Sequence, residues 1–96
     1  MSGELVISKC GNDKGRYFFV VSEEDGFLYL ADGKKRTLEK PKKKKESHVE
    51  MAGKFPDFVY FRENTKKFET VARNRVLNGK LKEYTQKLRE AAQQDK

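Results

Sequence analysis

Four short segments of strand character follow one another within about 40 residues, each divided from the next by a glycine-bearing turn. Leu5-Val6-Ile7-Ser8 is rich in β-branched side chains, which fit a pleated surface. Gly11-Asn12-Asp13-Lys14-Gly15 is a turn cluster with two glycines available for positive φ. Arg16 to Ser22 forms the second segment, and Tyr17-Phe18-Phe19-Val20-Val21 is apolar enough for both faces to be covered. Glu24-Asp25-Gly26 turns the chain into Phe27-Leu28-Tyr29-Leu30-Ala31. Asp32-Gly33 is a two-residue hairpin signal leading into Lys35-Arg36-Thr37-Leu38. Strands this short and closely spaced predict a small, strongly bent antiparallel sheet or barrel.

The pattern then breaks. Pro41 removes a ladder donor, and Lys42, Lys43, Lys44 and Lys45 repel one another, so this stretch is expected to be a flexible basic arm. Glu46 to Met51 can return as a final strand. Phe55 to Phe61 is aromatic, and Pro56 opposes a helix there. From about Thr70 the period changes: Leu77, Leu81, Tyr84, Leu88 and Ala91 form the stripe of an amphipathic helix. Thr70 and Asn74 are both suitable N-caps, while Asn78-Gly79 weakens the first turns. The 96 residues suit one small domain: a barrel over 1–50 that includes the basic segment 34–45, an aromatic connection over 51–69, and a helix with its tail over 70–96. The expected class is mainly β with a C-terminal α-helix.

Charge narrows the function. Lys34, Lys35, Arg36, Lys40, Lys42, Lys43, Lys44 and Lys45 face a single acid in the segment, Glu39, and their excess equals the net charge of the whole chain, +7. The remaining charges cancel, so the imbalance is local. A polyanion that neutralises the segment and releases counterions is the natural partner, and nucleic acid is the first candidate. The same run can also serve as a solubilising surface, and in a eukaryotic chain Lys40-Pro41-Lys42-Lys43-Lys44-Lys45 can serve as a nuclear import signal.

Other classes find little support. One histidine and one cysteine provide neither a zinc site nor a convincing nucleophile–base set, and no phosphate-cradling Walker loop is present. The expected protein is therefore a non-enzyme without cofactor or metal. No apolar run approaches the roughly 20 residues that cross a bilayer, and the start, Met1-Ser2-Gly3-Glu4, lacks the basic and apolar regions of a signal peptide. The single Cys10 has no internal disulfide partner; a cytoplasmic monomer is expected, with Cys10 as a small buried hydrophobe.

Val6-Ile7-Ser8-Lys9-Cys10-Gly11-Asn12-Asp13-Lys14-Gly15-Arg16, followed by the apolar strand to Val21, resembles the KOW motif of large-subunit ribosomal proteins and NusG-type transcription factors. Leu30-Ala31-Asp32-Gly33, then Lys35-Arg36 and His48, looks most like the ribosomal subgroup, and closer still to small stand-alone bacterial KOW-domain proteins. Asn74, Leu77, Leu81 and Tyr84 are similar to the terminal helix of those small proteins. The likeness covers residues 4 to 48 and, more loosely, the helix. It departs at Phe18, where many KOW sequences have glycine, and it does not account for residues 51 to 68. The resemblance implies a small SH3-like, KOW-type antiparallel barrel that binds structured RNA, ribosomal or translation-associated, with the ribosome or translation proteins as neighbours.

The residues expected to meet RNA are Asn12, Lys14, Gly15 and Arg16 in the turn, together with Lys34, Lys35, Arg36, Lys40, Lys42, Lys43, Lys44 and Lys45. At the turn, backbone N–H groups and cationic heads can point together at a phosphate. Lys80, Lys82, Lys87 and Arg89 can extend the basic surface. Tyr17, Phe19, Phe27 and Tyr29 are expected mainly in the core, with Tyr17 and Tyr29 the best placed to stack on bases. Phe55, Phe58, Tyr60 and Phe61 are expected to cover the open end of the barrel or pack beneath the helix. A rival reading is a protein-interaction adaptor of the transcription or translation machinery, with this aromatic stretch or the barrel edge as the contact.

Overall fold

A computed structural model describes residues 3–54 and 69–94 of the chain. Five antiparallel strands form one sheet: β1 (Glu4–Ser8), β2 (Tyr17–Glu24), β3 (Phe27–Ala31), β4 (Lys42–Lys45) and β5 (Val49–Lys54). Their order is β4-β3-β2-β1-β5. The two edge strands, β4 and β5, are consecutive in the chain and joined only by a 3-10 turn, Glu46–His48. A sheet whose edges are held that close must curl, and the result is a small barrel-like sheet. One long helix among the described residues, α1 (Thr70–Gln94), follows the sheet in the chain. Among the described residues no helix is long and apolar enough to cross a membrane.

Strand alternation divides the apolar residues into two layers. Val6, Phe18, Val20, Leu28 and Leu30, with Val49 against them, fill the curled interior. Leu5, Phe19 and Ala31 point the other way and are covered by Leu77 and Leu81 of α1, with Tyr84 and Leu88 alongside. The ring of Tyr84 meets Phe19 edge-on, with centroids 6.0 Å apart. Each fully buried Leu, Val or Phe in these layers contributes about 1.5–3 kcal/mol relative to exposure. The helix stripe read from the sequence is thus the roof of the second layer. Phe18 is an interior residue at 1% exposure. The pairing of β2 with β3 shifts register between Val20 and Ser22, so β2 acquires its irregularity at Val21.

Three expectations are corrected. The predicted strand over 35–38 is not a strand. The Asp32 carboxylate accepts the N–H groups of Lys34 (2.8 Å) and Arg36 (3.0 Å), closing residues 32–36 into a loop. Such local side-chain bonds compete with a ladder. The fourth strand is instead the lysine run, expected to be a flexible arm: Lys42 pairs with Leu30 and Lys44 with Leu28. Lastly, Asn74 is no N-cap, because α1 already begins at Thr70 and continues unbroken through Asn78-Gly79. The aromatic residues Phe55, Phe58, Tyr60 and Phe61 lie outside the described residues.

Candidate nucleic-acid interface

The β1–β2 turn is closed by backbone hydrogen bonds. Gly15 holds φ +88°, a left-handed conformation that favours glycine. Its N–H donates to Ser8 O (2.8 Å), that of Arg16 to Asp13 O (2.9 Å), and that of Lys14 to Gly11 O (3.2 Å). These amides are engaged within the turn, so the expected backbone cradle for a phosphate is not formed there. Lys14 and Asn12 remain exposed on the loop. Cys10 is exposed too, contrary to expectation. It stands beyond the end of β1, and its carbonyl, rather than its thiol, is tied into the structure by Lys44 Nζ at 2.8 Å.

Beneath this loop lies a buried ionic cluster. Asp13 is 6% exposed. Its Oδ1 accepts from Lys44 Nζ (2.7 Å) and Ser8 Oγ (2.7 Å), and Lys42 Nζ lies 2.6 Å from its Oδ2. Burial alone would raise the Asp13 pKa, but the donors Lys42, Lys44 and Ser8 outweigh it and hold the carboxyl well below the usual carboxylate range. The β3–β4 register explains the arrangement. Lys42 and Lys44 lie on the face of Leu30 and Leu28, so their stems pack toward the interior and their ammonium groups reach the loop. Alternation sends Lys43 and Lys45 to the opposite face, where Lys43 Nζ stands 4.5 Å above the Phe27 ring. Repulsion along the run is relieved in this way, and a strand becomes possible.

Two of the eight cations of the basic segment, Lys42 and Lys44, are therefore engaged internally, sharing the one negative charge of Asp13. The other six, Lys34, Lys35, Arg36, Lys40, Lys43 and Lys45, form no ion pair among the described residues. Glu39, the segment's one acid, faces the helix instead: Arg73 Nη1 lies 3.6 Å from its carboxylate, and Asn74 Nδ2 donates to it at 2.8 Å.

The loop over 32–36 is pressed against α1. Gly33, at φ +79°, leaves no room for a Cβ, which would stand 2.7 Å from Asn78 N and closer to Asn74 O. Asn78 Nδ2 donates to Asp32 O (2.9 Å), while Asn74 Oδ1 accepts the Leu38 N–H (2.8 Å). Docking of the loop brings Arg16 and Lys34 into a cleft of about 280 Å³ with Lys82 and Arg89 of the helix. Tyr17, half-buried, and Leu81 also line it. The only acid there among the described residues is Asp32, 3.2 Å from Arg16 Nη2, so these residues give the cleft a formal excess of three positive charges.

Of the residues singled out beforehand, Arg16 and Lys34 converge, whereas Lys42 and Lys44 belong to the buried cluster. On the helix, Lys80 and Lys87 both pair with Glu83, at 3.6 and 3.4 Å. Lys82 and Arg89 have no such partner among the described residues. Their separation of seven residues puts them on one side of a helix, a signal present in the sequence that did not say which element they would face. Tyr29 and Phe27 are half-buried and Phe19 is fully so. Among the described residues no group of three or more His, Cys, Asp and Glu side chains is placed to hold a metal ion. Compared with known proteins, the chain matches no family model and shows no significant similarity to any curated protein.

Proposed function

We propose that this protein is a non-catalytic RNA-binding module that holds folded RNA by its phosphates, with ribosomal or translation-associated RNA favoured by the KOW-like turn. The observation that carries the reading is the convergence of Arg16, Lys34, Lys82 and Arg89, from three separate elements, on one cleft with a single acid. Cations gathered from distant parts of a chain repel one another, and an anionic ligand relieves that cost. The exposed Lys14, Lys35, Arg36, Lys40, Lys43 and Lys45 add a wider positive surface that positions a polyanion without reading its sequence. Folded RNA suits such a surface because its recognition rests on shape, sugar and phosphate.

Titration of a labelled, folded RNA at several salt concentrations tests the reading. Phosphates that neutralise the cleft's excess of three positive charges predict a loss of affinity of about 30-fold between about 50 and 200 mM salt. A protein that leaves the RNA unbound in dilute buffer, or binds it with no salt dependence, does not work in this way.

A further inference from the structure

We infer that the cleft between the β1–β2 turn and α1 receives one unpaired nucleotide of the bound RNA, rather than the side of a double helix. The inference rests on the RNA-binding reading and adds to it which structural feature of the RNA is selected.

Shape is the first argument. At about 280 Å³ the cleft falls just below the roughly 300–1,000 Å³ range of drug-sized ligand sites, a volume suited to a single nucleotide unit. Its chemistry is divided as a nucleotide is divided. Arg16 and Lys34 contribute cations from the barrel, and Lys82 and Arg89 contribute them from the helix. Lys82 and Arg89 stand about 10 Å apart along the helix, enough to address the phosphates on both sides of one nucleotide. Tyr17 and Leu81 add apolar surface that a free phosphate ion would leave unused but that the face of a base can cover. Thr85 also lines the cleft; its hydroxyl donates to Lys82 O at 3.0 Å, leaving lone pairs able to accept from a ribose hydroxyl.

In a duplex the base faces are already stacked, so only a bulged, looped or terminal residue can offer one. The cleft thus gives the protein a preference for interrupted RNA helices, while the wider basic surface holds the flanking stem.

Three labelled RNAs of the same stem separate the possibilities: fully paired, with one bulged nucleotide, and with an abasic residue at the bulge. The bulged RNA is expected to bind about tenfold more tightly than the paired one, and the abasic RNA to lose most of that preference. Lys82→Ala with Arg89→Ala, both exposed positions apart from the core, should remove the preference while leaving weaker stem binding. Tyr17→Leu should do the same, with the circular dichroism spectrum establishing that the barrel has folded. Tight but equal binding of all three RNAs overturns the inference and leaves the RNA-binding reading standing. Failure to bind any of them in dilute buffer removes both.

Discussion

The ammonium of Lys44 lies 2.7 Å from the carboxylate of Asp13, 31 residues away in the chain, and each side chain is 8% exposed. This contact ties the loop between β1 and β2 to the edge strand β4 across the curled sheet. It turns a run of four lysines into part of the barrel, and it removes two of them from any external task.

Removal of one member leaves the other charged and largely buried. Asp13→Ala should therefore destabilise the protein by about 3 kcal/mol in a urea titration. Combining Asp13→Ala with Lys44→Met should recover much of the loss, since the stranded ammonium is then gone. A double variant no more stable than the single one would mean that the ion pair is not the source of the effect.

Acid should weaken the fold through the same residue. The folded-state pKa of Asp13 is depressed, so its contribution is fully present above the unfolded value of about 3.9. It is lost as pH falls from there through the folded pKa. Denaturant midpoints measured between neutral pH and about pH 2 should fall more steeply for the natural chain than for Asp13→Asn. Parallel curves would contradict this.

Gly33 and Gly26 share φ +79°, but only Gly33 is packed against the helix backbone. Gly26→Ala should cost about 1–2 kcal/mol, the left-handed penalty alone. Gly33→Ala should cost clearly more and loosen α1 from the sheet, read as faster amide exchange at Leu77 and Leu81. Equal costs for the two would argue that the helix is not seated as described.

Asn74 is 4% exposed, accepts from Leu38 N–H, and donates to Glu39 and Thr70 O. Asn74→Ala should cost about 1–3 kcal/mol by leaving the loop's polar groups unmet. The Leu38 amide should become one of the faster-exchanging protons of the barrel. Slow exchange there in the variant would show that the loop is fixed by other contacts.

The parts of the fold legible in the sequence are those governed by neighbours. β-branched and aromatic alternation marks β1 to β3, and the leucine period marks α1 from Thr70. What escaped depends on distant partners. Asp32-Gly33 has the composition of a hairpin turn, yet the Asp32 side chain closes a loop instead, and Leu38 goes to Asn74 of the helix. The lysine run repels itself in any local view, and the distant Asp13, together with alternation of the lysines between two faces, makes β4 admissible. The site was half legible for the same reason: Arg16 and Lys34 stand out as basic turn residues, but nothing local says that Lys82 and Arg89 will stand opposite them.

The separation of structural from ligand-facing lysines is itself testable. Lys43→Ala with Lys45→Ala should leave thermal stability nearly unaltered and weaken RNA binding modestly. Lys42→Ala with Lys44→Ala should lower stability while shifting affinity little once the protein is folded. The opposite pattern would return the whole run to the RNA surface.

The most direct measurement is the slope of log affinity against log salt for one folded RNA, in the natural chain and in the Lys82→Ala, Arg89→Ala double variant. Each phosphate contact contributes about 0.7–0.9 to that slope, so losing two cleft cations should flatten it by about 1.4–1.8. An unchanged slope, with binding intact, would show that the cleft between barrel and helix is not where the RNA is held.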